Sequence, residues 1–175
     1  KLYGAGHALS YPNSAFVTIT HRLLSPAEHP NVLDYGFGSG ENMIHLLKRG
    51  FRVTGCEVSA NAIKTASSRI AAAALQAELH LTASPRLPFG DGAFDAVVAW
   101  QVLNYNTWES LAQTVSEIDR VLKPGGVFLC AINAPGDYVQ THSEPLGNSL
   151  YRMAFSSQAG LHTLVLERER LADCF

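Results

Sequence analysis

The stretch that decides the fold spans residues 32–40 and reads Val-Leu-Asp-Tyr-Gly-Phe-Gly-Ser-Gly. An apolar segment typical of a β-strand reaches the carboxylate of Asp34, and three glycines follow at alternate positions. Residues 42–47 then read as the start of a helix. Glycine lets a backbone and a ligand approach closely, and the first turn of a helix has unpaired N–H groups. This order of elements therefore predicts a cradle of the nucleotide-binding type.

The charges around the cradle indicate which ligand it takes. In the dinucleotide pattern G-x-G-x-x-G/A, the third small residue would fall at position 41, but the chain has Glu41 there and its third glycine at Gly40. Because Glu41 and Asp34 would repel a pyrophosphate, they favour a ligand with a cationic end. S-adenosylmethionine is such a ligand, since it carries a sulfonium and an ammonium and has no phosphate.

A third acidic residue supports this interpretation. Glu57 ends a predicted second strand, 23 residues after Asp34. An acid at about that spacing lies at the tip of the neighbouring strand and can accept the hydroxyls of a ribose. Considered alone, Glu57 could equally be a solvated charge in a loop.

These residues resemble the class I S-adenosylmethionine-dependent methyltransferases. Residues 87–98, Leu-Pro-Phe-Gly-Asp-Gly-Ala-Phe-Asp-Ala-Val-Val, are similar to that family's L-P-F-x-D-x-x-F-D-x-V approach to its fourth strand. Residues 120–126, Arg-Val-Leu-Lys-Pro-Gly-Gly, are similar to its lead into the fifth strand. The resemblance covers residues 30–132 and implies an α/β fold with a doubly wound, mainly parallel Rossmann-like sheet.

The pattern of the chain predicts alternating strands and helices, as such a sheet requires. A capping box of Asn106 and Glu109 is expected to begin one helix, and Ser59 is expected to cap another. We predict helices at 13–24, 41–49, from 60 to the alanines at 71–74, and from 107 to about 122, with a helical piece near 150–153 and another helix from 167. We predict strands at 31–35, 51–56, 78–81, 94–100, 127–132 and 162–166.

Both ends of the chain raise an expectation. The family normally finishes with a hairpin beside strand five, and this chain stops before it. Because soluble proteins usually avoid a long open apolar edge, we expect part of the protein to be missing at the C-terminus; another chain covering the edge is the alternative. The chain starts at Lys1, so we expect residues to precede it as well. We divide it into an N-terminal helical and lid segment, 1–30, and an S-adenosylmethionine-binding domain, 31–175.

The resemblance implies roles for the residues of the cradle. Gly36, Gly38 and Gly40 would let the turn lie against the methionine part of the cofactor. Asp34 would hold this turn and attract the ammonium. Trp100, at the tip of strand four, would direct its carbonyl to the cofactor amine, while its indole could instead fill the core.

Further residues are implied for the adenosine part. Glu57 would bind the ribose hydroxyls, and Val58 would pack on one face of the adenine. The family usually offers an aspartate to the adenine amino group after strand three, but Ala83 stands at that position. Only Ser84 remains for this contact, so the loss of one hydrogen bond should weaken it by ~1 kcal/mol.

The methyl acceptor is less well indicated. Tyr11, Asn104 and Tyr105 are candidates for contacting the substrate, and Tyr11 is favoured because Pro12 fixes the chain after it. None has a His or Glu partner that would mark it as a base, so no catalytic residue is assigned. Residues 100–105, Trp-Gln-Val-Leu-Asn-Tyr, lack the [DNS]-P-P-[YFW] tetrapeptide of enzymes that methylate adenine or glutamine amino groups, which argues against those substrates.

Composition and charge limit the partners and the cellular location that we expect. The chain of 175 residues with 47% apolar content has the size of one domain. Its net charge of −2, without a basic run, argues against a nucleic-acid partner, and no apolar stretch reaches the ~20 residues that span a membrane. Three scattered cysteines and seven ungrouped histidines give no metal site, and we expect a reducing cytoplasm.

The resemblance therefore implies in-line transfer of a methyl group to a small-molecule acceptor, with S-adenosylhomocysteine as the product. Two alternatives stay open at this point. A nicotinamide- or flavin-dependent oxidoreductase is disfavoured by Glu41 and by the spacing of the glycines. A non-catalytic domain that binds S-adenosylmethionine would show the same glycines and the same Glu57.

Overall fold

The main sheet is parallel throughout and has the strand order β3-β2-β1-β4-β5. The computed structural model describes residues 11–82, 86–155, 159–167 and 169–170. The strand order reverses at β1, which has β2 on one side and β4 on the other. Open parallel sheets bind ligands in the crevice at the carboxyl ends of the strands at such a reversal. The strands are β1 Asn31–Tyr35, β2 Arg52–Glu57, β3 Glu78–Leu81, β4 Phe94–Trp100 and β5 Leu122–Ala131.

In the described part of the chain, helices lie before, between and after these strands, and side-chain caps start several of them. Asn13 accepts hydrogen bonds from two backbone N–H groups at the start of α1, and Ser59 caps α3 as the sequence predicts. The helices are α1 Ser14–Leu23, α2 Glu41–Lys48, α3 Ala60–Ala72, α4 Trp108–Val121 and α5 Tyr138–Thr141, and the 3₁₀ turn is Leu103–Tyr105.

The predicted capping box of α4 is wrong by one position. Thr107 caps the helix, and its reciprocal partner is Ser110 rather than Glu109. The amide of Asn106 instead donates a hydrogen bond to the carbonyl of Leu103, 3.1 Å away, and so closes the 3₁₀ turn.

The helices cover both faces of the sheet, which confirms the doubly wound fold. Neighbouring residues of a strand point to opposite faces, so Val32 packs with one apolar cluster and Leu33 with the other. The cluster around Val32 includes Phe16 of α1 and Met43 of α2. The cluster around Leu33 includes the apolar stripe of α4, namely Leu111, Val115, Ile118 and Val121.

A second, antiparallel sheet follows β5. Its strands, in the order β6-β7-β8, are β6 Ser143–Gly147, β7 Leu150–Met153 and β8 His162–Leu164. The helical piece predicted near 150–153 is therefore wrong. Asn148 and Ser149 both have positive φ, as a two-residue type I′ hairpin turn requires, and this turn folds β7 back onto β6.

The strand predicted at 162–166 is confirmed as β8, although it ends at Leu164. For the helix predicted from residue 167, residues 169–170 are helical, while 168 and 171–175 lie outside the described residues.

A buried polar cluster joins the small sheet to the main one. The Thr163 hydroxyl of β8 accepts hydrogen bonds from the side-chain amides of Asn104, at 3.3 Å, and Asn133, at 2.9 Å. All three residues are buried. The cluster therefore fixes the chain after β4 and the chain after β5 against β8.

In the part of the chain that the structure describes, β5 pairs only with β4, so no strand lies along the outer edge of β5. At the other end of the chain, α1 lies on α2, and the backbone N–H of Asn13 points to the side chain of Asn42 at 3.4 Å. The division at residue 30 stays a prediction, and residues 1–10 of the proposed lid lie outside the described residues. No described helix has the length and apolar character needed to cross a membrane.

Candidate functional site

A cavity of about 350 Å³ opens at the carboxyl ends of β1 and β2. Its sheet-side wall consists of the ends of β1 and β2 and of Thr82, which follows β3. The opposite wall is one face of α4 together with Val102 and Asn106. The cavity therefore lies at the crevice where open parallel sheets bind their ligands.

The glycine turn between β1 and α2 borders this cavity, and two of its positions require glycine. Gly36 has φ 69°, and a Cβ there would lie 2.9 Å from the Cβ of Val102 and closer still to one of its methyl groups. Gly40 has φ 87°, and a Cβ there would lie 3.0 Å from the Cβ of Ala66 in α3. The chain thus turns tightly enough to pack against both neighbours.

Asp34 precedes this turn in β1, is only 2% exposed, and lies behind the residues that line the cavity rather than among them. Its Oδ2 has no hydrogen-bond partner in the described structure. Burial, reinforced by the nearby carboxylates of Glu57 and Glu41, raises the pKa of Asp34 to about 7. A buried carboxylate oxygen without a partner is costly, and an ammonium group would supply both the charge and the donor that it lacks.

Glu57, at the end of β2, is buried and holds the glycine turn in place. Its Oε2 accepts a hydrogen bond from the N–H of Gly38 at 3.0 Å. Its Oε1 accepts from the N–H groups of Val58, at 2.8 Å, and Ser59, at 3.0 Å. A carboxylate has roughly four acceptor positions, so about one remains for a ligand hydroxyl without rearrangement.

Glu41 has a partner that the sequence analysis did not foresee. Its carboxylate forms an ion pair with Arg69 of α3 and accepts a hydrogen bond from the Ser39 hydroxyl at 2.7 Å. The charge of Glu41 is thus partly compensated, and the argument against a pyrophosphate rests mainly on Asp34 and Glu57.

The remaining predicted cofactor residues lie in three different settings. Val58 lines the cavity and is 69% exposed, so its side chain is open to contact from a ligand. The Trp100 indole packs edge-on against Phe16 of α1, with ring centres 5.3 Å apart, and therefore belongs to the core. Ser84 and the neighbouring Ala83 lie outside the described residues.

None of the three substrate candidates lines the cavity. Tyr11 is 66% exposed and precedes α1. Asn104 is buried, and its amide is bound to Thr163. Tyr105 is exposed in the 3₁₀ turn after β4. Their contact with a substrate stays a prediction.

Helix α4 contributes cavity residues that were not predicted from the sequence. Ser110, Gln113 and Thr114 line the cavity, at the i, i+3 and i+4 spacing of one helical face. This polar face lies beside the apolar stripe of α4, which packs in the core. The spacing of these three residues predicts that they share one helical face. The sequence alone does not show that this face meets the end of β1.

Comparisons with known proteins agree with this geometry. Residues 32–126, more than half of the chain, match the family model described as a methyltransferase domain. An uncharacterized methyltransferase of Synechocystis is 32% identical over 117 residues, which are 66% of this chain and 52% of the relative. A sterol 4-C-methyltransferase of Caenorhabditis elegans is 30% identical over 169 residues, which are 87% of this chain and 50% of the relative.

The fold has a counterpart among solved structures. The crystal structure of an S-adenosylmethionine-dependent methyltransferase from Methanosarcina mazei superposes with a TM-score of 0.76, at 24% identity, and covers 89% of this chain and 82% of that one. At this identity the likeness shows the fold.

The chain therefore belongs to the methyltransferase-domain family, and the predicted class I S-adenosylmethionine-dependent methyltransferase is confirmed. Membership of this family supports S-adenosylmethionine as the cofactor. The chain spans about half the length of the curated relatives it matches.

Proposed function

We propose that this protein transfers the methyl group of S-adenosylmethionine to a small-molecule acceptor. The observation that carries the proposal is a buried carboxylate oxygen of Asp34 that has no hydrogen-bond partner, close to the Glu57 carboxylate that lines the crevice. These two groups match the ammonium and the ribose hydroxyls at the two ends of the cofactor.

The residues of the crevice would bind and orient the cofactor. Asp34 would pair with the ammonium, the turn at Gly36 would lie against the methionine chain, and Glu57 would accept a ribose hydroxyl. When bound, the cofactor supplies an electrophilic methyl group on a sulfonium, which leaves as a neutral thioether. Because this electrophile is already activated, alignment and the exclusion of water supply much of the acceleration.

The titratable residues that line the cavity bear on the chemistry of the acceptor. Burial raises the pKa of Cys56 to about 12 and also raises the pKa of Tyr35, so both stay protonated at neutral pH. Glu57 is held by three backbone N–H groups. The described wall therefore offers no free base, which favours an acceptor whose atom is nucleophilic without deprotonation by the protein.

A small acceptor, rather than a nucleic acid, is supported by charge. The net charge is −2, and the buried acids of the crevice would repel a phosphate backbone. The cytoplasm is the setting we propose, because Cys56 and Cys130 are free thiols.

The test uses S-adenosylmethionine with a labelled methyl group and an extract of the cells that produce the protein. The extract is separated by dialysis into a small-molecule fraction and a macromolecular fraction, and each is incubated with the protein. We expect label in the small-molecule fraction, with matching formation of S-adenosylhomocysteine. Label confined to nucleic acid or protein would contradict the proposal.

A further inference from the structure

One polar side chain of the cavity, Gln113, makes none of the contacts described above. Gln113 lies on α4, faces the cavity and is exposed at its rim. In the described part of the chain its side-chain amide makes no hydrogen bond. An amide with a free donor and a free acceptor is available to a ligand.

The other polar residues on this wall are already engaged. The Ser110 hydroxyl accepts a hydrogen bond from the N–H of Thr107 at 2.9 Å as part of the helix cap. The Asn106 amide is bound to the carbonyl of Leu103. Thr114 is buried beside Tyr35. Gln113 is therefore the side chain of this wall that is ready to recognise a ligand group.

The order of the strands indicates which part of the cofactor reaches Gln113. Asp34 at β1 suits the ammonium, and Glu57 at β2 suits the ribose. Continuing in the same direction along the sheet, the base extends toward β3, where Val58 and Thr82 line the cavity. The backbone N–H of Thr82 is already bound to the carbonyl of Glu57 at 3.0 Å. This N–H is therefore not available to the polar edge of the base.

We infer that Gln113 recognises the adenine of the cofactor by a hydrogen bond to its 6-amino group, an inference that rests on the proposed function. The amide oxygen accepts from the amino group while the amide nitrogen donates to the adjacent ring nitrogen, a pairing that glutamine makes with adenine elsewhere. This contact takes the place of the acid that Ala83 does not supply.

The test is a binding cycle measured by calorimetric titration, without turnover. Wild-type protein and Gln113→Ala are each titrated with S-adenosylhomocysteine and with its analogue that lacks the 6-amino group. In wild-type protein, we expect removal of the amino group to weaken binding by about 3- to 10-fold, as loss of one hydrogen bond predicts. In Gln113→Ala, binding of S-adenosylhomocysteine should be weaker by at least that factor, because both hydrogen bonds of the amide are lost, and removal of the amino group should cost nothing further.

Gln76→Ala is the matched control, because Gln76 is exposed and lies outside the cavity. It should bind both ligands as the wild-type protein does. An equal cost of removing the amino group in wild-type protein and in Gln113→Ala would overturn the inference. Failure of the wild-type protein to bind S-adenosylhomocysteine would instead overturn the proposed function, and the inference with it.

Discussion

The buried carboxyl of Asp34 predicts that cofactor binding depends on pH. Burial, with the charges of Glu57 and Glu41, raises its pKa to about 7. At about pH 6 roughly one tenth of the molecules therefore carry the charge that an ammonium needs, and at about pH 8 roughly nine tenths do. We expect the affinity for S-adenosylhomocysteine, which retains the ammonium, to rise about tenfold between these values.

The same shift has the opposite effect on the protein without cofactor. An acid whose pKa is higher in the folded state is costly to ionise there, so its contribution to stability falls as the pH rises from about 4 to about 7. A shift from 3.8 to about 7 corresponds to about 4 kcal/mol in the free energy of unfolding. Asp34→Asn should therefore be more stable than wild-type protein at about pH 8, yet bind the cofactor less tightly.

Calorimetric titration across this pH range and denaturant unfolding check the two halves of the prediction. Asp34→Asn is the control for both, because it removes the titrating group and keeps its shape. Because asparagine does not titrate, the affinity of this variant for S-adenosylhomocysteine should be about the same at both pH values. The reasoning is refuted if wild-type affinity is flat between about pH 6 and pH 8, or if Asp34→Asn shows the same slope.

Two further predictions concern packing, and denaturant unfolding checks both. Gly36→Ala combines a positive φ with overlap against Val102, so it should lower the free energy of unfolding by more than ~2 kcal/mol. Gly50→Ala, which has a positive φ but open space around it, should lower it by about 1 kcal/mol. Equal losses would show that overlap with Val102 does not matter. Thr163→Val leaves two buried amides without their acceptor and should cost about 2–3 kcal/mol, against less than about 0.5 kcal/mol for Thr18→Val in an exposed helix position. A loss at Thr163 as small as that at Thr18 would show that the polar cluster does not join the sheets.

The main sheet could be predicted because its signals are local. An apolar run that ends in Asp34 and breaks into glycines leaves few conformations other than a strand, a turn and a helix. The helix cap at Thr107 could not be placed as well, since Asn106 is an equally good capping residue. Which of the two begins the helix depends on the hydrogen bond from Asn106 to Leu103, which belongs to the preceding turn.

The second sheet shows a different limit. Leu150–Met153 has four residues, too few for a period to distinguish a helix from a strand. Its conformation depends on pairing with β6 and β8 and on positive φ at Asn148 and Ser149. Neither residue is glycine, so the turn has a weak sequence signal.

The candidate site also has features that could be predicted from the sequence and features that could not. Asp34 and Glu57 each end a strand, and parallel strands bring their ends together, so their proximity could be predicted. The ion pair between Glu41 and Arg69 joins two helices and has no local pattern. The position of Gln113 over the strand ends depends on how α4 crosses the sheet, which only the folded chain shows.

The most direct test of the central claim is a calorimetric titration of the protein with S-adenosylmethionine, S-adenosylhomocysteine and NADH. We expect both adenosyl ligands to bind and NADH not to bind. Glu57→Ala should weaken the adenosyl ligands strongly, while Glu28→Ala, an exposed glutamate outside the cavity, should leave them unchanged. Tight binding of NADH, or no binding of either adenosyl ligand, would contradict the account.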